Sequence, residues 1–312
     1  MNQYIECPLC KQVHAELVDK ISVEYLKRGY KRQFNINVDH FFNDLDNIGL
    51  YKCAETNYQF YFPFNVKGDS IFYLDLQNIE WYYKKWKWEF DVAYKLIEPK
   101  DKILEIGCGK GEFLKKVSEK ATQCIGLEIN DHSVQYSDKK YTIINSTIES
   151  FAKFRSDKFD WVLSFQVLEH ISEIRSFIDC SLKTLKQGGK LLIAVPNNDN
   201  FFFKERLPEF ADTSYQQTLL LNFPPHHMGL WNQKAFSSLE AFFSLKLKRI
   251  YYEPLQPWRY DLNCRLLKEI KKVKFPNNKP LVSDIELWFK KIFHKSFKRG
   301  DTIIALFEKS SA

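Results

Sequence analysis

Methionine is nearly missing from this chain, with 2 residues in 312. Long apolar runs are missing altogether: none approaches the ~20 residues that a membrane-spanning helix needs. The opening Met1-Asn2-Gln3-Tyr4 has neither the basic region nor the apolar run of a secretory signal. No internal repeat and no low-complexity tract organises the chain. The cysteine count, 7, is odd, so the thiols cannot all be paired. Cys124 and Cys180 fall in expected core elements, a usage that fits free thiols in a reducing cytoplasm. A cytoplasmic location is therefore expected. Against these absences stand a high aromatic content, 16%, and enough length for one large or two modest domains with a buried core. Net charge is +7, and it is unevenly spread. Lys246 to Arg299 alone carries about +10, which leaves the remainder slightly acidic. Such a run is ordinarily a solvated helical face; it could also draw in an anionic substrate or a membrane surface. Within it, Ile285 to Lys295 sets an aromatic and apolar face against lysines, which favours packing on the rest of the protein.

The most informative stretch is Glu105-Ile106-Gly107-Cys108-Gly109-Lys110-Gly111. It comes after an apolar run, Lys102 to Ile106, that reads as a strand, and it precedes an amphipathic segment, Glu112 to Lys120, that reads as a helix. Cys108 sits inside the turn. A glycine turn between strand and helix lets backbone approach a nucleoside cofactor where a Cβ would block it. A second strand, Cys124 to Ile129, ends with Glu128, placed to accept hydrogen bonds from ribose hydroxyls. Two cofactors fit a glycine turn with a downstream acid: a nicotinamide dinucleotide and S-adenosylmethionine. The dinucleotide fingerprint is G-x-G-x-x-G, whereas the spacing here is G-x-G-x-G. Glu105 would be badly placed beside a pyrophosphate but suits a cofactor with a cationic amino group.

This turn, with Glu105 and Glu128 and the strands downstream of them, resembles the class I S-adenosylmethionine-dependent methyltransferases. The resemblance covers roughly residues 66–312. It implies that Glu105, Gly107, Gly109 and Gly111 hold the methionine part and Glu128, with Ile129 beside it, the ribose. Tyr141 to Ile144 reads as a third strand, and Thr147 and Ile148 come after it where the family contacts adenine. Phe159 to Phe165 reads as a fourth strand. It runs into Gln166-Val167-Leu168-Glu169-His170, which resembles the segment flooring the cofactor, with Gln166 and His170 as contacts. Leu185 to Lys190 reads as a helix end with a glycine stop, and Leu191 to Asn197 as the next strand. Leu245 to Tyr252 and Thr302 to Glu308 are expected to be the last two strands, paired as a hairpin. The implied fold is α/β: a Rossmann-like seven-stranded methyltransferase sheet, last strand antiparallel, with a small N-terminal ribbon-like module.

That module is expected over residues 1–65, a helical connector or lid over 66–100, and the methyltransferase domain over 101–312, with insertions at 197–231 and 253–300. Cys7-Pro8-Leu9-Cys10 is a C-x-x-C knuckle, and Cys53 lies across from it. Tetrahedral zinc needs four ligands. Bacterial sugar and glycan methyltransferases that the chain resembles carry a ribbon with a second knuckle here, but Thr56 stands in place of its second cysteine. Cys7, Cys10 and Cys53 are thus candidate zinc ligands in an incomplete set, with His14 or His40 as a fourth. The alternative is a ribbon that has lost its metal. Ile79 to Leu96 has helical spacing up to Pro99, and within it Tyr82 or Tyr83 is expected to reach the site.

The long segment Asn197 to Trp231 contains Pro224-Pro225-His226-His227. A segment so aromatic is a functional loop rather than a disordered one. Histidine is the natural base for a hydroxyl at neutral pH, and the resembling glycan methyltransferases have a similar Pro-Pro-His-His segment there. His226 or His227 is therefore the candidate base; the competing reading is a buried histidine that fixes the loop. Glu169 and His170 are two adjacent donors, a poor metal site by themselves. The acceptor is expected to be a small molecule or glycan precursor, methylated on a sugar hydroxyl, as in polysaccharide biosynthesis. The late basic segment leaves room for an anionic one. A quinone-type O-methyltransferase and a non-catalytic cofactor-binding partner are the alternatives. Nucleic acid is disfavoured. The place of the Asn- or Asp-Pro-Pro-aromatic motif reads Ser164-Phe165-Gln166-Val167, and no nucleophilic cysteine stands there.

Overall fold

The computed structural model describes residues 4–79, 82, 86–154, 158–199, 220–255 and 299–310. Five adjacent parallel strands, ending at one edge, make up most of a seven-stranded sheet. They are β5 (Lys102–Ile106), β6 (Gln123–Glu128), β7 (Thr142–Asn145), β8 (Phe159–Phe165) and β9 (Leu185–Pro196). Their sequences are nearly continuous apolar runs, as a sheet covered on both faces requires. On the far side of β9 lies β12 (Arg299–Lys309), antiparallel to it, and beyond that β11 (Leu245–Pro254), antiparallel to β12. The spatial order is β11-β12-β9-β8-β5-β6-β7, so the expected α/β sheet with its tail hairpin is present. From β5 the chain winds outward through β6 and β7, then returns to start again at β8. The direction of winding reverses between β5 and β8, and in such sheets that crevice, at the carboxyl ends of the strands, is where ligands bind.

One local expectation is overturned. Leu185 to Lys190 is not a helix end. Helix α6 (Ile174–Thr184) stops one residue earlier, and β9 already begins at Leu185. The pairing with β8 jumps from Phe159–Leu185 to Trp161–Lys190, so the glycine pair bulges out of the strand. Gly188 takes a φ of 72° there, with open space around a would-be Cβ. The glycines serve a bulge rather than a helix stop. The expected helix from Ile79 is also shorter. Lys87 is extended, and helix α3 runs Trp88–Leu96 with Glu89 and Asp91 in its first turn, where carboxylates favour a helix start. Helix α2 (Ser70–Gln77) precedes it, capped by Asp69 Oδ1 accepting from Phe72 N at 2.9 Å.

The N-terminal module is a second, antiparallel sheet ordered β1-β2-β3-β4-β10. Its strands are β1 (Ile5–Glu6), β2 (Val13–Ser22), β3 (Asn47–Cys53), β4 (Gln59–Phe62) and β10 (Gly229–Leu230). Between β2 and β3 the chain forms a 12-residue helix, α1 (Val23–Phe34), which a plain ribbon lacks. Ser22 caps its start and Asn35, in the left-handed region, its end. The fifth strand comes from beyond β9, so the two sheets are joined through it. The module's core shows the same sharing: Leu26, Tyr30, Phe42, Phe72 and Leu76 pack with Leu220, Phe223 and Met228. The basic segment's expected amphipathic helix, Ile285 to Lys295, lies outside the described residues, as does most of the 253–300 insertion. No described helix is long and apolar enough to cross a membrane.

Candidate active site

The glycine turn sits where β5 ends. Gly107, Gly109 and Gly111 all take positive φ. Gly107 N–H and Cys108 N–H both donate to Leu127 O on β6, at 2.8 and 3.1 Å. A Cβ on Gly107 would lie 2.4 Å from Val167 Cγ2, so the turn and the segment after β8 are in contact there. Glu105 is 2% exposed, and its Oε2 has no hydrogen-bond partner among the described residues. Burial holds its carboxyl well above the usual range. A buried polar atom left unpaired costs free energy and calls for an explanation. An ammonium group arriving at the end of β5 supplies one.

Glu128 ends β6 and organises the adjoining backbone. Its Oε2 accepts from Gly109 N at 2.9 Å, and its Oε1 accepts from Ile129 N at 2.9 Å and Asn130 N at 3.1 Å. A carboxylate has about four lone-pair sites, so capacity remains for a hydroxyl. Ile129 is 62% exposed, an apolar side chain open to a flat ring. Thr147 Oγ1 accepts from Ser150 N at the start of α5 (Ile148–Phe154). The Ile148 side chain is buried in the core, so it packs against the sheet rather than facing outward.

After β8 the backbone is strained. Gln166 has a φ of 58°, uncommon for a non-glycine residue and found most often where function holds it. Its amide donates to the buried Glu89 Oε1 at 3.2 Å. A short turn, Leu168 to His170, comes next and sets His170 against the histidine pair. His170, His226 and His227 form one cluster. Ring centroids are 4.3 Å apart for His226–His227, 4.7 Å for His170–His226 and 5.0 Å for His170–His227.

The tautomers are set by the partners. His226 Nδ1 lies 2.8 Å from Leu221 O and His170 Nδ1 lies 2.5 Å from His226 O. Each Nδ1 therefore carries its proton, which leaves Nε2 as the lone pair. The Tyr82 hydroxyl donates to His226 Nε2 at 2.6 Å. Tyr73 donates to His226 O at 3.3 Å. Burial pushes His170 down to about 4. Burial and then the neighbouring imidazoles hold His226 and His227 well below the ordinary value. All three rings are thus neutral at physiological pH. The loop is anchored on both sides, since Met228 N donates to Glu169 O at 2.8 Å and Met228 O accepts from Tyr61 N at 2.9 Å. The histidine pair is thereby tied to β4 of one sheet and to the end of β8 in the other.

Sequence reasoning overlooked Tyr73, Glu89 and Lys87. Lys87 is the cation whose charge is felt by Glu89, Glu105 and Glu169. Helical spacing pointed to Tyr82, which is hydrogen-bonded to His226; Tyr83 lies outside the described residues.

In the N-terminal module Cys7, Cys10 and Cys53 are buried and their sulfurs lie within 4.8 Å of one another. Cys10 Sγ is 3.6 Å from Cys53 Sγ, and His14 Nε2 is 3.2 Å from Cys53 Sγ and 3.8 Å from Cys10 Sγ. Thr56, in the place of a fourth cysteine, donates its backbone N–H to Cys53 Sγ at 3.4 Å. The Cys7 thiol beside it, with Thr56 and His14, holds Cys53 below the ordinary thiol value. His40 is elsewhere, 3.6 Å from Asp69.

Residues 79–240, over half of the chain, match the methyltransferase domain family. The chain belongs to that family. It is 27% identical over 198 residues to a mitochondrial ubiquinone biosynthesis O-methyltransferase of Dictyostelium discoideum, which covers 54% of this chain and 60% of that one. It is 31% identical over 129 residues to an uncharacterised protein of Methanocaldococcus jannaschii, covering 39% of this chain and 61% of the other. The chain thus spans about three fifths of the length of these two relatives. Among solved structures, a SAM-dependent methyltransferase from Archaeoglobus fulgidus aligns with 71% of this chain and 91% of its own, at 15% identity and a TM-score of 0.48.

Proposed function

We propose that this enzyme methylates a hydroxyl oxygen of a small acceptor, a sugar or glycan precursor, and that His226 and His227 handle the acceptor's proton. The observation that carries this reading is the cluster of neutral imidazoles one short turn away from the glycine loop. When bound, the cofactor supplies an electrophilic methyl on a sulfonium sulfur. Glu105 takes its amino group, Gly107, Gly109 and Gly111 let its backbone-facing side approach, and Lys87 is available to its carboxylate. Glu128 takes the ribose, Ile129 and Thr147 border the adenine while the Ile148 side chain, expected there too, is buried in the core, and Gln166 with His170 lies beneath. Holding acceptor oxygen and methyl in line supplies several kcal/mol of the rate enhancement by itself. His227 has a buried Nδ1 with no partner among the described residues, which makes it the ring most open to an acceptor hydroxyl. The polysaccharide assignment rests on the Pro-Pro-His-His loop and the cysteine module. A quinone-type acceptor is the second reading, favoured by the similarity to the ubiquinone biosynthesis enzyme.

Calorimetric titration with S-adenosylhomocysteine, with NAD as control, tests the cofactor assignment: saturable binding of the first alone is expected. Glu128→Ala is expected to weaken that binding by on the order of 100-fold. It removes the ribose contact and orphans three backbone N–H groups at the turn, each hydrogen bond to a charged group being worth about 1.5–3 kcal/mol. Unchanged affinity would remove Glu128 from the site. His227→Ala is expected to keep S-adenosylhomocysteine affinity within about twofold while turnover falls by about 100-fold or more, the usual range for a lost acid–base group. Turnover equal to wild type in both His226→Ala and His227→Ala would end the proton-handling assignment.

The cysteine module is proposed as a zinc site of Cys7, Cys10, Cys53 and His14. A tetrahedral zinc with thiolate and imidazole ligands has S···S edges of about 3.8 Å and S···N edges of about 3.6 Å, from its ordinary bond lengths. The measured separations of 3.6, 3.2 and 3.8 Å lie close to those edges. Peripheral contact with a membrane or an anionic acceptor through the 246–299 segment is a further proposal, resting on its charge alone.

A further inference from the structure

The histidine cluster holds more ligating groups than proton transfer needs. One nitrogen from each of His170, His226 and His227 lies within 4.8 Å of the other two. Glu169 adds a carboxylate to the same place, its Oε1 4.0 Å from His170 Nε2. Two of these groups are buried and unsatisfied: Glu169 Oε2 and His227 Nδ1 have no hydrogen-bond partner among the described residues, at 1% and 5% exposure. A native interior leaves few such atoms, and an ion that binds them both is an economical explanation. Two of the three tautomers leave Nε2 as the lone pair, and that of His226 now accepts from Tyr82. The carbonyls of Leu221 and His226 hold the Nδ1 protons of His226 and His170, which is the second layer that metal-binding imidazoles ordinarily have.

We propose that His170, His226, His227 and Glu169 form a site for a divalent transition-metal cation, which binds the acceptor oxygen. This rests on the oxygen-acceptor reading and deepens it. Three imidazoles with one carboxylate suit zinc, manganese, iron or nickel rather than magnesium, which prefers oxygen and water. The adjacency of Glu169 and His170 is no obstacle here, because the long loop brings two more donors from far along the chain.

As ligands, His226 and His227 act on the acceptor's proton through the cation, whose charge makes a bound hydroxyl more acidic. A cation-bound hydroxyl loses its proton to water far more readily than a free one. The oxygen then attacks the methyl carbon: the O–CH3 bond forms, the S–CH3 bond breaks, and the sulfur keeps the electron pair. The Tyr82 hydroxyl, which donates to His226 Nε2, has to release that nitrogen to the cation.

The test is titration of the metal-stripped chain with Mn²⁺ alone, the free ion being counted by its paramagnetic resonance. Mn²⁺ is chosen because thiolate sites prefer softer ions. Saturable uptake of one ion per chain is expected, weakened at least about tenfold in Glu169→Gln and in His170→Ala. A wild-type far-ultraviolet circular dichroism spectrum with a single cooperative melt shows that each variant is folded. No Mn²⁺ or Zn²⁺ uptake by a chain that binds S-adenosylhomocysteine overturns the cation site and leaves the methyltransferase intact. Uptake equal in wild type and both variants overturns it too. Uptake that depends on Glu169 and His170, with a product methylated on nitrogen or carbon, upholds the site and sinks the oxygen-acceptor reading.

Discussion

Glu105→Gln is expected to bind S-adenosylhomocysteine about 100-fold more weakly than wild type and, without ligand, to melt at a higher temperature. The two effects have one cause. Glu105 is 2% exposed, with an Oε2 unpaired among the described residues, and burial holds its carboxyl well above the ordinary range. Between its unfolded value, about 4.3, and the raised folded one, the folded chain holds a proton that the unfolded chain has lost. The folded state then binds more protons, so stability falls as pH rises from about 4.3 upward. Glutamine keeps the shape, never ionises and removes that slope. The variant's apo melting temperature should therefore change less than that of wild type between pH 5 and 8. With ligand the balance reverses. An ammonium beside the carboxylate makes the charged form worthwhile, and its loss costs about 2.7 kcal/mol, within the range for a hydrogen bond to a charged group. Wild-type affinity should accordingly rise with pH over the same window, while that of Glu105→Gln stays flat. A variant that binds as tightly as wild type would show that the methionine amino group lies elsewhere.

The proposed cofactor half of the site was more legible in the sequence than the proposed acceptor half, for a physical reason. The proposed cofactor contacts come from strand ends and the turns just after them, so Glu105, the glycines and Glu128 are marked by local pattern: apolar run, glycine, acid. The boundaries of β5 to β9 are set by the same runs, apart from the Gly188 bulge, where a glycine pair carried two meanings and the strand claimed it. The acceptor half is built by distant parts of the chain meeting. His170, Tyr73, Tyr82 and the histidine pair come from four segments, and no spacing in the sequence records that meeting. Glu169 and His170 are a poor metal site by themselves, and the two histidines proposed to join them stand more than fifty positions later. The N-terminal module was legible as a knuckle and an aromatic strand. Helix α1, and the loan of β10 to its sheet, were not, because strand addition depends on an open edge at β4 rather than on the two residues that fill it.

Cys53→Ser is expected to release zinc, lower the melting temperature by about 10 °C and reduce turnover more than S-adenosylhomocysteine affinity. Cys53 is the centre of its cluster, 3.6 Å from Cys10 and 3.2 Å from His14, and it ends the strand that pairs with both β2 and β4. A structural zinc contributes folding energy outright. Losing about three to four kcal/mol of it moves the midpoint of a domain this large by roughly 10 °C. The damage should spread along one path. Tyr61 on β4 donates to Met228 O, Met228 donates to Glu169 O, and β10 is hydrogen-bonded to β4 directly after the histidine pair. Loosening the module's sheet frees that pair, while the glycine turn, held by β5, β6 and Val167, stays in place. Zinc counted by atomic absorption should therefore fall in Cys53→Ser and His14→Ala and persist in a turn variant such as Glu105→Gln. A wild-type chain that neither carries nor takes up zinc, with Cys53→Ser melting alongside it, would leave these four side chains as packing alone.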